Sequence, residues 1–156
     1  MINIIAKGRK EIDTLAVDPL GQDRVHIEVR CASIFYIKAK QTFTSKGRSH
    51  RNGVDYFEKE KFAHPHVKSK IREIWGDMPY RKMLVVYRHT DEAAIAAKEA
   101  NIELKTINEI INDLTEIVKK EPGQRDDIMR MIEFFYRGQK DRITERELVN
   151  LKKKLP

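Results

Sequence analysis

Two short runs of alternating residues flank a turn signal near the start of the chain, and this pattern restricts the fold more than any other feature. From Glu11 to Val17, apolar Ile12, Leu15, Ala16 and Val17 stand among acids. Pro19-Leu20-Gly21-Gln22-Asp23 then supplies turn chemistry before Val25, Ile27 and Val29, which alternate with His26, Glu28 and Arg30. The spacing predicts an antiparallel hairpin. Successive strand side chains point to opposite faces, so Val25, Ile27 and Val29 share one face and His26, Glu28 and Arg30 share the other.

The remaining chain reads as alternating helices and strands. Pro65 is a favoured first-turn residue, and Val67, Ile71, Ile74 and Trp75 follow at helical spacing until Gly76. Met83-Leu84-Val85-Val86, within Lys82 to Tyr87, is the short apolar run of a buried central strand. Thr90, Asp91 and Glu92 open an alanine-rich helix ending near Asn101, and Ile102 to Lys105 reads as a brief strand. Thr106 and Glu109 form a capping box ahead of Ile107, Ile110, Ile111, Leu114 and Val118. Pro122-Gly123 breaks the pattern. Beyond it, Ile128, Met131, Ile132 and Phe135 make one helical stripe, and Thr144 with Glu147 caps a second helix. The fold class expected is α/β: a mixed sheet flanked by helices over residues 1–121, with a helical C-terminal extension over 122–156 that packs on the core or on a partner.

At 156 residues the chain suits one domain with a real core. No apolar run approaches the length of a membrane span, Met1 to Lys10 lacks the apolar core of a secretion signal, and Cys31 stands alone, so the expected location is the cytoplasm. Lys and Arg number 31 against 24 Asp and Glu, a net charge of +7, the sign expected for a phosphate-backbone partner. That charge is unevenly placed. From Val29 to Val54 there is no acid, while Arg30, Lys38, Lys40, Lys46, Arg48 and Arg51 stand among Phe35, Tyr36 and Phe43. Ser45, Gly47, Ser49, Asn52 and Gly53 give its middle the character of a mobile loop. Lys38, Lys40, Lys46, Arg48 and Arg51 are therefore the expected nucleic-acid contacts.

Two carboxylates on adjacent strands repel each other unless a cation lies between them, and hard oxygen donors suit Mg²⁺. Asp13 and Glu28 are such a pair, and Arg30 shares the face of Glu28. Glu11-Ile12-Asp13 followed by Ile27-Glu28-Val29-Arg30 resembles the acidic hairpin of the PD-(D/E)XK (restriction-endonuclease-like) nuclease superfamily. The resemblance extends more loosely to about Leu114, because the later strand, helix and strand follow the family's order. It implies that Asp13 and Glu28 hold Mg²⁺ or Mn²⁺, and that a basic residue two positions on helps to position and polarise the attacking water. Arg30 stands where the family usually has Lys; guanidinium can steady an anionic transition state but cannot act as a base. Lys38 or Lys40 could reach back to supply the missing ammonium. The family also places a helix before its first strand, whereas Met1 to Lys10 alternate like a strand.

His64 and His66 flank Pro65 without further ligands at zinc spacing and read as a solvated helix start. Ser33 has no base placed beside it by the sequence. The function expected is metal-dependent hydrolysis of DNA phosphodiesters, with Asp13, Glu28 and Arg30 as catalytic residues. The alternatives are a non-catalytic nucleic-acid-binding module of the same fold, or an assembly protein acting through its C-terminal helices. No membrane partner is expected, and a homodimer would suit a protein that straddles a duplex.

Overall fold

A computed structural model of the chain describes residues 4–6, 10–18, 20–30 and 36–120. The tail stripe Ile128, Met131, Ile132 and Phe135, the Thr144 and Glu147 capping box, and Cys31, Ser33 and Phe35 lie outside the described residues. The chain divides into two units, Met1–Thr106 and Ile107–Pro156.

The expected hairpin forms, with an interruption at its most acidic point. Strand β1 (Ile4–Ala6) pairs antiparallel with β2 (Lys10–Ile12); Asp13 interrupts the chain, and β3 (Thr14–Val17) then pairs antiparallel with β4 (Arg24–Arg30). The turn is held by Asp18, whose Oδ1 accepts from the backbone N–H groups of Gln22 and Asp23 at 2.6 and 3.1 Å. Gly21 provides the positive φ of 70° that this tight return requires.

Strand β5 (Arg81–Val86) lies parallel to β4, and β6 (Glu103–Thr106) lies parallel to β5, giving a four-stranded mixed sheet in the order β3-β4-β5-β6. Parallel neighbours need crossover connections. The one between β4 and β5 carries α1 (Val54–Phe57), a π-helical turn (Glu58–Phe62) that continues it, and α2 (Pro65–Trp75). The one between β5 and β6 is α3 (Asp91–Glu99). The second unit contributes α4 (Ile107–Lys120).

The helix boundaries follow local chemistry. Pro65 starts α2 behind His64, whose ring accepts from the backbone N–H of His66, and Gly76 ends it at φ 66°. Thr90 caps α3 by accepting from the Ala93 N–H. Residues 54–62 are the departure. The sequence pattern assigns them no element, yet they form a continuous helical segment whose Phe57 and Phe62 are both buried. A spacing of five residues matches a π turn and not the three-to-four repeat of an amphipathic α-helix.

Among the described residues, two apolar clusters flank the sheet. Val54, Phe57 and Phe62 pack with Leu84 and Val86 of β5, Ala93 and Ala97 of α3, Ile37 and Ile102. Ile12, Val67 and Ile71 form a second cluster under Trp75 and Tyr80. In β4 the alternation is filled on both sides: Val25 is buried on one face, and His26 and Glu28 are buried on the other. The polar face of the hairpin is thus an interior face.

Candidate functional site

Glu28 is fully buried, with a relative exposure of 0%. Removing one carboxylate from water costs several kcal/mol unless charge and hydrogen bonds compensate it. Two partners do so. His26, two residues earlier on the same face, places Nε2 at 2.9 Å from Glu28 Oε1. Lys61, on the π-helical turn, places Nζ at 2.7 Å from Glu28 Oε2.

Asp13 reaches the same ammonium from the break between β2 and β3. The β3–β4 register pairs Thr14 with Ile27, and continuing it by one residue sets Asp13 opposite Glu28. Asp13 Oδ2 accepts from the backbone N–H of Val29 at 2.7 Å, and Oδ1 lies 3.9 Å from Lys61 Nζ. One carboxyl oxygen thus takes the place of a ladder acceptor at the strand break and fixes the side chain, while the other faces the cation. Asp13 and Glu28 are brought together on one positive charge.

Burial alone would lower the pKa of Lys61. The hydrogen bond and charge of Glu28, followed by the charge of Asp13, more than offset that effect and hold the pKa above the usual lysine value. Lys61 therefore remains an ammonium throughout the neutral range. Two carboxylates and one ammonium leave the cluster with a net negative charge when His26 is neutral. With Nε2 donating to Glu28, a neutral His26 ring carries its lone pair on Nδ1, which is buried and has no hydrogen-bond partner. The ring is held by the edge of Phe62, with centroids 4.8 Å apart, and by Tyr80 at 6.4 Å.

Arg30 shares the face of Glu28 but extends to the next segment, where its Nη2 stands 3.5 Å from the His50 carbonyl oxygen. The ammonium at the carboxylates comes from Lys61, whereas Lys38 and Lys40 are exposed. Sequence reasoning missed Lys61 because no α-helical stripe announces residues 54–62. The usable signal was Lys61 beside Phe62, five residues beyond Phe57.

The basic segment is a hydrogen-bonded loop. Buried Asn52 accepts from both the N–H and the hydroxyl of Thr42, Asp55 accepts from the Gln41 N–H, and Thr44 pairs with Arg48 through backbone and hydroxyl. Gly53 is where this loop crosses the start of α1. A Cβ there would stand 1.9 Å from the Gln41 nitrogen, so no larger residue fits without moving backbone. Lys38, Lys40, Lys46, Arg48 and Arg51 are all exposed on this frame.

Two converging carboxylates are donors that suit Mg²⁺ or Mn²⁺, which retain water and substrate oxygens as further ligands. Lys61 already marks a cation position between them, on a four-carbon stem that can rotate aside. Among the described residues, no group of three or more His, Cys, Asp or Glu side chains gathers at metal-ligand spacing, so a closed protein cage of the zinc type is not built there. No helix among the described residues is long and apolar enough to cross a membrane. No family model, curated protein or solved structure matches the chain.

Proposed function

We propose that the chain is a metal-dependent nuclease that hydrolyses DNA phosphodiesters, built on a restriction-endonuclease-like core. The observation that carries this reading is the convergence of a fully buried Glu28 and a backbone-anchored Asp13 on one cation position. Such a pair is costly to assemble, and a solvent-exposed acidic ribbon would not need it. The hairpin followed by helix-linked parallel strands agrees with the order that the resemblance implies.

Asp13 and Glu28 would hold Mg²⁺ or Mn²⁺, which supplies Lewis acidity to an in-line displacement at phosphorus. Lys61 then has the role that the family gives to its motif lysine, because an ammonium beside the carboxylates places positive charge next to an incoming phosphate. Arg30, directed toward the loop, steadies the phosphate backbone. The exposed cations from Lys38 to Arg51 supply sequence-independent attraction.

A second reading has its own support. Lys61 already neutralises part of the paired charge, so a chain that never exchanges it for a metal would be a DNA-binding module of the same fold. Incubation with labelled duplex, branched and single-stranded DNA separates the two, using Mg²⁺, Mn²⁺ or chelator. Cleavage that needs metal and disappears in Glu28→Gln supports the nuclease. Binding without cleavage under every condition supports the module.

A further inference from the structure

Beyond the paired carboxylates, the carboxyl ends of β4 and β5 carry a cluster that the nuclease reading leaves unused. Arg30, the last residue of β4, is in register with Val86, the last residue of β5, and Tyr87 and Arg88 follow directly. Ile37 is tied to the same end: its N–H donates to the Arg88 carbonyl, and its own carbonyl accepts from the Thr90 N–H. This bridge brings Tyr36 beside Arg88. The Arg88 guanidinium lies 4.9 Å from the Tyr36 ring centroid and 5.2 Å from that of Tyr87, and Nη1 donates to the Tyr36 hydroxyl at 3.2 Å.

Each ring is braced by the guanidinium, yet Tyr36 and Tyr87 remain 47% and 44% exposed. Leaving two large aromatics in water forfeits burial that the nearby core could have provided. Their surroundings select the partner. The segment from Arg30 to Gly53 contains no acid, and it leads from Tyr36 straight into Lys38 and Lys40. Aromatic faces joined to a run of exposed cations can take stacked bases and the phosphates between them. In a duplex the base faces are covered by their neighbours, so only unpaired bases can use the rings.

We infer that Tyr36, Arg88 and Tyr87 form a stacking platform for unpaired bases of single-stranded DNA, whose backbone runs along Lys38 and Lys40. Tyr87 directly follows Val86, the register partner of Arg30, so the platform sits at the carboxyl ends of the two central strands, next to Arg30. The choice of DNA rests on the nuclease reading; the stacking itself does not. It makes single-stranded ends, flaps or gaps the preferred substrates.

The test is fluorescence anisotropy in EDTA with labelled oligo-dT, oligo-U and a blunt mixed-sequence duplex. It compares the wild type with Tyr36→Ala/Tyr87→Ala and Tyr36→Phe/Tyr87→Phe, each checked for folding by its thermal melt. The Ala pair is expected to lose roughly tenfold or more in oligo-dT affinity and less than about twofold for duplex. The Phe pair, which keeps the rings, should stay near wild type. Equal losses on duplex and single strand, no loss on oligo-dT, or no wild-type binding of oligo-dT would overturn the platform. Preference for oligo-U would overturn its assignment to DNA. With metal removed, the result is independent of cleavage: a chain that binds oligo-dT through these rings and cuts nothing refutes the nuclease alone. A chain that cuts with unchanged single-strand affinity in the Ala pair refutes the platform alone.

Discussion

The Glu28 carboxylate and the Lys61 ammonium meet at 2.7 Å, one on a central strand and the other on a π-helical turn, with Glu28 fully buried. Removing the ammonium leaves a buried anion whose remaining side-chain partner among the described residues is His26. Lys61→Met should therefore destabilise the fold by about 3 kcal/mol, the low end for a broken buried pair, because the Lys61 side chain retains 18% exposure. Adding Glu28→Gln to that variant should restore at least about 1 kcal/mol. Urea denaturation of the four proteins in this cycle measures the coupling, and strictly additive losses would show that the pair contributes nothing.

The same ion pair sets a pH dependence whose sign can be worked out. Burial opposes the charge on Lys61, but Glu28 and Asp13 raise its folded-state pKa above the ordinary 10.5. A raised pKa means that the folded form binds the proton more tightly, so this stabilisation is fully present below the unfolded pKa and is lost as pH rises through the folded value. The stability gap between wild type and Lys61→Met should stay constant through neutral pH and narrow only above about 10.5. A gap that closes near neutrality would mean that Lys61 is not held as an ammonium.

A divalent cation can take over the neutralising role. Mg²⁺ or Mn²⁺ should raise the melting temperature of Lys61→Met more than that of wild type, since the variant offers two carboxylates with no resident ammonium between them. Asp13→Asn should abolish the rise while keeping most of the intrinsic stability, because an amide oxygen can still accept from the Val29 N–H. Calorimetric titration of metal into the three proteins checks the order of affinities, and equal responses would sever Asp13 from the metal.

The hairpin, α2, β5, α3 and β6 were legible because each carries its own local signature: turn residues at Pro19 to Asp23, Pro65 and Gly76 at the ends of one helix, Thr90 as a cap, and four consecutive apolar residues at Met83. Asp13 and Glu28 were legible as a pair from strand register. The inward direction of the polar face was not, because Val25, Ile27 and Val29 offered an equally good core face; what buries Glu28 is the helical segment above it, which lies far along the sequence. Lys61 was hidden for the same reason, since a π turn spaces Phe57 and Phe62 outside the α-helical template. Tyr36 and Phe43 are exposed, because the loop bonds its own backbone through Asn52 and Asp55 and does not fold its rings inward.

That loop should respond sharply at Gly53. An added methyl would collide with the Gln41 nitrogen and the Asp55 carboxylate, so Gly53→Ala forces the basic loop off the start of α1. A loss of about 1–3 kcal/mol is expected, as for an overpacked site. Because the exposed cations ride on this loop, duplex affinity should fall as well, with a weaker salt dependence. Replacing Lys38, Lys40 and Lys46 together by Ala should leave stability near wild type and flatten the salt slope by about one unit for each phosphate that is no longer neutralised. An unchanged slope would remove these lysines from the interface.

Arg30 separates a catalytic contribution from a binding one. Its guanidinium lies toward the His50 carbonyl, on the loop side of the carboxylate pair. Since Lys61 already supplies the ammonium at Glu28, Arg30→Lys should retain or raise cleavage, whereas Arg30→Ala should lower it mainly by weakening phosphate retention. Lys61→Met should instead lower cleavage with little loss of DNA affinity in chelator, because its charge acts next to the reacting phosphate and not along the backbone. Cleavage rates in Mg²⁺ and affinities in EDTA for the three variants provide the comparison. If Arg30→Ala abolishes cleavage at saturating DNA while Lys61→Met retains it, the roles are reversed: Arg30 would be the cation beside the transition state, and Lys61 a structural counter-ion of Glu28.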